Sequence, residues 1–184
     1  RLLAADASYL YAYDGTSIIG SSDFDTWTVM GTEDLDMLPE TDLFSVSHPS
    51  RTNANIQQTV MAGMNSQNEK NGVAWYKVGS ADASINQNWA YVQVTDDNSY
   101  GLPRLQNFSM TYYHGAIYAM GAVDGKYQYL YCSNDNGITW HPLTAKYLMP
   151  KDLTPAEGVA RIVAVDDYLW IVQENGKVWQ GSIQ

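Results

Sequence analysis

The sequence predicts an all-β chain, a β-propeller of four-stranded antiparallel blades with about four repeat units, the last one truncated. Three observations lead there. A serine-x-aspartate corner followed by a tryptophan recurs about every 50 residues, the length of one propeller blade. Each corner follows a short run of β-branched, aromatic and apolar residues, the composition of a strand. Asp14-Gly15 and Glu174-Asn175-Gly176 supply tight turns between such runs.

The units fall at about 1–50, 51–100, 101–150 and 151–184. The first predicts strands over 2–6, 9–13, 17–21 and 26–30, with Tyr9-Leu10-Tyr11 at the heart of the second strand. The second is the least regular, with strands over 56–64, 72–79 and 89–94 and an indistinct first strand. The third predicts strands over 108–113, 116–122, 127–133 and 139–143. The fourth predicts 161–165, 168–172 and 177–182, and its fourth strand is missing. Between units lie polar connections, 31–51, 95–107 and 144–158. The first is acidic, with Glu33, Asp34, Asp36, Glu40 and Asp42, and is expected to be a loop with one helical turn before Pro39.

The most complete corner is Ser133-Asn134-Asp135-Asn136-Gly137-Ile138-Thr139-Trp140. Asn and Gly tolerate the positive φ a tight turn needs. Asp135 is placed to accept N–H bonds from its own turn, Thr139 to close it, and Trp140 to plug the core beneath. Weaker copies are Ser21, Asp23, Thr26 and Trp27, which lack the glycine, and Ser80, Asp82 and Trp89, where the turn is longer. This signature resembles the Asp-box of BNR repeats in sialidase-like propellers. The resemblance implies a structural role for these residues, at the turn between third and fourth strands and away from the ligand-binding face. His114-Gly115-Ala116-Ile117-Tyr118 also resembles a Kelch second strand, which implies the same architecture. The chain as a whole is similar to exported propellers of gut-dwelling bacteria, and that implies a periplasmic, cell-surface or extracellular location.

Charge narrows the partners. The net charge is −10 with only 10 Lys and Arg, so the phosphate contacts that dominate nucleic-acid affinity have no source, and no nucleic-acid partner is expected. No apolar run reaches the ~18 residues of a membrane span. The lone Cys132 allows no internal disulfide and reads as a small buried hydrophobe. Fourteen Tyr and 6 Trp against 3 Phe suit half-buried sheets and contact surfaces for carbohydrate or protein. A truncated last unit leaves sheet edges and apolar faces to cover. Either four blades close on themselves with a strand borrowed from elsewhere, or, as Arg1 rather than Met at the start suggests, the chain is a piece of a longer one whose remaining blades complete the ring.

Chemistry is sparse. His48, His114 and His141 have no metal-ligand spacing, and no EF-hand, P-loop or GxGxxG is present, so neither metal nor cofactor is expected. The sialidase resemblance implies three arginines on a carboxylate, a tyrosine nucleophile with its glutamate, and an aspartate acid/base. Arg1, Arg51, Arg104 and Arg161 occur about once per unit and are candidates to face a ligand on the axis, but no glutamate is placed beside a tyrosine. Tyr112, Tyr113 and His114, at a strand-to-strand turn, are candidates for exposed aromatic contact. The expected function is a non-catalytic propeller that binds a glycan or protein at its axial face. The alternatives are a sialidase-like glycoside hydrolase and a structural scaffold within a longer protein.

Overall fold

The computed structural model describes residues 2–5, 9–14, 18–31, 41–49, 57–64, 72–79, 89–93, 102, 105–135, 139–143 and 149–183. Its strands form four antiparallel sheets in chain order. The first sheet holds β1 (Leu2–Ala5), β2 (Leu10–Tyr13), β3 (Ile18–Ser21) and β4 (Thr28–Gly31). The second holds β5 (Thr41–Pro49), β6 (Gln57–Met64), β7 (Gly72–Gly79) and β8 (Trp89–Gln93). The third holds β9 (Gln106–Tyr113), β10 (Ala116–Val123), β11 (Lys126–Ser133) and β12 (His141–Leu143). The fourth has three strands, β13 (Ala160–Val165), β14 (Tyr168–Gln173) and β15 (Val178–Gly181), preceded by a 3-10 turn at Pro155–Glu157. Within every sheet each strand pairs with the next, and the first strands meet one another in order, β1 with β5, β5 with β9, β9 with β13. That arrangement is a β-propeller, and among the described residues its last sheet has three strands.

One expectation is corrected. Residues 41–49, expected as part of an acidic loop, form β5, the first strand of the second sheet. Phe44 and Val46 alternate there with Ser45 and Ser47, a period-2 pattern that outweighs the acidic stretch before it. The helical turn expected before Pro39 lies outside the described residues.

The third sheet is covered on both faces, so β10 is buried at nearly every position rather than at alternate ones. One face carries Phe108, Met110, Ile117, Ala119 and Tyr131, packed with Leu102, Leu105 and Trp140. The other carries Tyr113, Tyr118, Met120, Leu130 and Cys132, packed with Ala160, Ile162 and Leu169 of the fourth sheet and with Leu153. Burial raises the Cys132 thiol above its ordinary value, so it stays protonated and inert.

The contact between these sheets also satisfies a free strand edge. β13 pairs only with β14, which leaves a row of N–H groups pointing at the third sheet. Side-chain oxygens meet them in register. Ala160 N–H donates to Tyr127 Oη at 3.1 Å, Ile162 N–H to Ser109 Oγ at 2.9 Å and Ala164 N–H to Thr111 Oγ1 at 3.0 Å. The far face of the fourth sheet is different. Val163, Val165, Tyr168, Val172 and Val178 are all exposed there.

Close packing fixes one glycine. The register of β10 shifts against both neighbours between Met120 and Ala122, and Gly121 sits in that bulge. A Cβ at 121 would lie 2.5 Å from Leu105 Cβ and 3.1 Å from the Gln106 carbonyl oxygen. Gly121→Ala is therefore expected to lower stability by about 1–3 kcal/mol through overpacking. Urea unfolding measures it, and an unchanged midpoint would contradict the contact.

Candidate functional site

Antiparallel pairing gives the third and fourth sheets two distinct ends. At one end lie the β9–β10 turn, His114-Gly115, the β13–β14 turn, Asp166-Asp167, and the corner after β11. At the other lie the starts of β9 and β13 and the turns at Asp124-Gly125 and Glu174-Gly176. His114 and Gly115 both have positive φ, as do Asp124 and Gly125, which is the backbone of two-residue hairpin turns.

The corner side chains of the first end are spent on the fold. Ser133 Oγ donates to Asp135 Oδ1 at 2.9 Å, Thr139 N–H donates to the same oxygen at 2.8 Å, and Thr139 Oγ1 donates to Asp135 Oδ2 at 2.5 Å. Partial burial pushes the Asp135 carboxyl up, but the bonds from Thr139 and Ser133 outweigh it and hold the group below its ordinary value. Trp140, next in the chain, is fully buried. In the first sheet Ser21 Oγ donates to Asp23 Oδ1 at 3.0 Å, and the N–H groups of Asp25 and Thr26 donate to Oδ1 at 2.9 and 2.8 Å. The Thr26 and Asp25 backbone bonds hold the Asp23 carboxyl down. Trp27, unlike Trp140, is 37% exposed. The two corners thus share their turn chemistry and differ in what covers the tryptophan. Gly137, Ser80 and Asp82, and the side chain of Trp89, lie outside the described residues.

The candidate ligand residues are split between the two ends. Tyr112 is half-buried against the core of its own sheet. Tyr113 is buried, and its hydroxyl donates to the Asp167 carbonyl at 2.6 Å, so it braces the two hairpins and has no face for a ligand. His114 is exposed, its ring tilted 43° against that of Tyr113 at 4.1 Å between centroids, and has Nε2 3.5 Å from Asp167 Oδ1. Arg161 stands at the other end, in the first turn of chain of the innermost strand, half-buried with Nη1 3.4 Å from the Ala160 carbonyl. Arg1, Arg51 and Arg104 lie outside the described residues.

Sequence reasoning missed two residues at the Arg161 end. Gln173 is buried and donates from Nε2 to the carbonyls of Thr154 (2.7 Å) and Gly158 (2.8 Å), pinning the segment before β13. Its Oε1 is buried without a partner among the described residues. Lys177 ties the same segment down from outside, with Nζ 2.6 Å from Glu157 Oε2 and 3.8 Å from Asp152 Oδ2. Nothing in a lone glutamine or lysine signals such a pin. Among the described residues no group of three or more His, Cys, Asp or Glu side chains is placed to hold a metal ion.

Stacked antiparallel sheets meeting through their first strands define the class of protein: a β-propeller domain. The chain belongs to the family described as the DUF6242 beta propeller domain, whose model matches residues 1–184. No curated protein matches the chain. Among solved structures it is similar to a GH43 endo-arabinanase from Bacillus licheniformis, with 10% identity and a TM-score of 0.42. The match covers 92% of this chain, which spans 62% of that enzyme's chain.

The two corners predict different costs. Trp140→Ala is expected to destabilise by about 3–5 kcal/mol, as loss of a buried indole does. Trp27→Ala should cost a small fraction of that, and equal losses in thermal unfolding would contradict the difference in burial. Acid provides a second check. Asp135 and Asp23 bind protons more weakly folded than unfolded, where the value is 3.8. Their contribution is present above that value and is lost as pH falls through the lower, folded one. Below about pH 4, stability should drop with a slope that Asp135→Asn reduces.

Proposed function

We propose that this domain is a non-catalytic binding propeller that takes a glycan or a protein ligand on the axial face at which the first strands begin, and that its aspartate corners are Asp-boxes of the BNR type. The observation that carries the proposal is the division of labour between the two ends. At the corner end Ser133, Asp135, Thr139 and Tyr113 spend their hydrogen bonds inside the fold. At the opposite end a guanidinium stands at the root of the innermost strand, at the same end as the exposed turn residues Asp124 and Lys126, while Glu174 and Asn175 bond within the fold. Planar donors near an axis, ringed by exposed polar turns, suit hydroxyl- or carboxylate-bearing ligands. The carboxylates with lowered values, Asp23 and Asp135, are turn residues, which supports binding over acid/base catalysis as the reading.

A glycan array on the protein, followed by titration of any hit, tests this. Arg161→Ala is expected to weaken binding at least tenfold, whereas His114→Ala, at the other end, should leave it unchanged. Hydrolysis of a sialoside, lost in Arg104→Ala, would replace the proposal with an enzyme. Binding lost in His114→Ala and kept in Arg161→Ala would place the site on the wrong face.

A further inference from the structure

Lys177 is spent on Glu157 and Asp152. Lys126 and Lys151 are exposed, and among the described residues neither has a hydrogen-bond or ion-pair partner. Both line one cavity of about 380 Å³, between the β10–β11 turn and the segment 149–155 that leads to β13. In a chain with 20 Asp and Glu against 10 Lys and Arg, a surface hollow is expected to meet carboxylates first, yet none belongs to this wall. The acidic residues next to the two lysines in sequence, Asp124 and Asp152, stay out of it. Asp152 is turned the other way, accepting from Trp179 Nε1 at 3.2 Å and lying 3.8 Å from Lys177 Nζ. The wall itself is held by the fold. Leu153 is buried and its N–H donates to the Pro150 carbonyl at 3.1 Å, while Gln173 holds the Thr154 carbonyl at 2.7 Å. A cavity fixed in this way loses little freedom when it is filled.

We propose that this cavity binds a hexuronic-acid unit of an acidic glycan, with Lys126 and Lys151 neutralising its carboxylate. The proposal rests on the reading of this end as a ligand-binding face and names the class of ligand. Arg161 is not in the cavity wall, so the site is distinct from the axial position. Size, surface and charge all fit the unit. The volume lies in the lower part of the roughly 300–1,000 Å³ range of small-molecule sites. Met149 and Leu153 offer apolar surface to the C–H face of a pyranose ring, while Gln128 and Thr154 offer polar groups to its hydroxyls. Each lysine carries a point charge on a flexible four-carbon stem, which can follow a carboxylate across the mouth. A protein of net charge −10 repels an acidic polymer, so a site for one needs local cations without acidic partners, and these two lysines supply them. An acidic peptide fits less well. Main-chain hydrogen bonds carry much of extended-peptide recognition, and Pro150 and Pro155 in this wall have no N–H to give.

The test is calorimetric titration of the 184-residue chain with trisaccharides of galacturonic and of glucuronic acid, their neutral methyl esters, and a hexaglutamate peptide. One of the acid trisaccharides is expected to bind, and to bind about tenfold more weakly to Lys126→Gln and to Lys151→Gln, the loss of one charge-assisted hydrogen bond. Its methyl ester should bind the unaltered chain more weakly by at least the same factor. Both lysines are exposed, so both variants should keep the unaltered unfolding temperature. Binding of neither acid, equal binding of acid and ester, or unchanged binding by the lysine variants would each overturn the proposal. A neutral glycan whose binding is lost in Arg161→Ala would in those cases leave the axial-face reading standing. Binding lost in the lysine variants and kept in Arg161→Ala upholds the cavity and removes the axial position. Hexaglutamate binding as tightly as the sugar, and lost in the same variants, overturns the proposal by making the occupant an acidic peptide.

Discussion

A strand at the inner edge of a small sheet has a row of backbone N–H groups and no strand to receive them, and burying such a row unpaired costs about 1–3 kcal/mol per group. The structure answers this with oxygens from the preceding sheet. Tyr127, Ser109 and Thr111 meet every second N–H of β13, so one contact both buries apolar surface and closes an edge. The requirement is strict in register: a slip of one residue would turn the hydroxyls away and put apolar side chains opposite the donors. Hydrophobic stacking alone would hold the two sheets together. The hydroxyls fix how they sit.

Much of this was legible in the sequence. Ala116 to Ala122 and Tyr168 to Val172 have strand composition, flanked by turns that Gly115, Gly125 and Gly176 punctuate, and both fold as expected. The spacing of the Ser-x-Asp corners gave the repeat, because a blade cannot be much shorter and still bury its faces. β5 was harder, since Glu33 to Glu40 hides the alternation that begins after it. The site was far less legible. Tyr113 and His114 are adjacent in sequence, yet one is buried and the other exposed, because the strand ends between them. A sequence shows that Arg161 and His114 both flank strands; only the pairing shows that they stand at opposite ends.

The corners themselves separate two things that a motif runs together. The aspartate of each holds its turn by the same hydrogen bonds, whether or not a tryptophan is buried beneath. Turn closure is local and follows from the short spacing of serine, aspartate and threonine. Burial of the indole is a tertiary event that depends on what the neighbouring segment supplies, which in the third sheet includes Leu102 and Leu105.

The hydroxyls of β9 bear on how such a chain can evolve. By register Ser109, Thr111 and Tyr113 correspond in β13 to Arg161, Val163 and Val165. A duplicate of the fourth blade placed after itself would find an arginine and a valine where its own inner strand needs the acceptors Ser109 and Thr111. Blades that share a period are thus committed to particular neighbours, and shuffling their order would be penalised at the axis even where every hydrophobic face still matched.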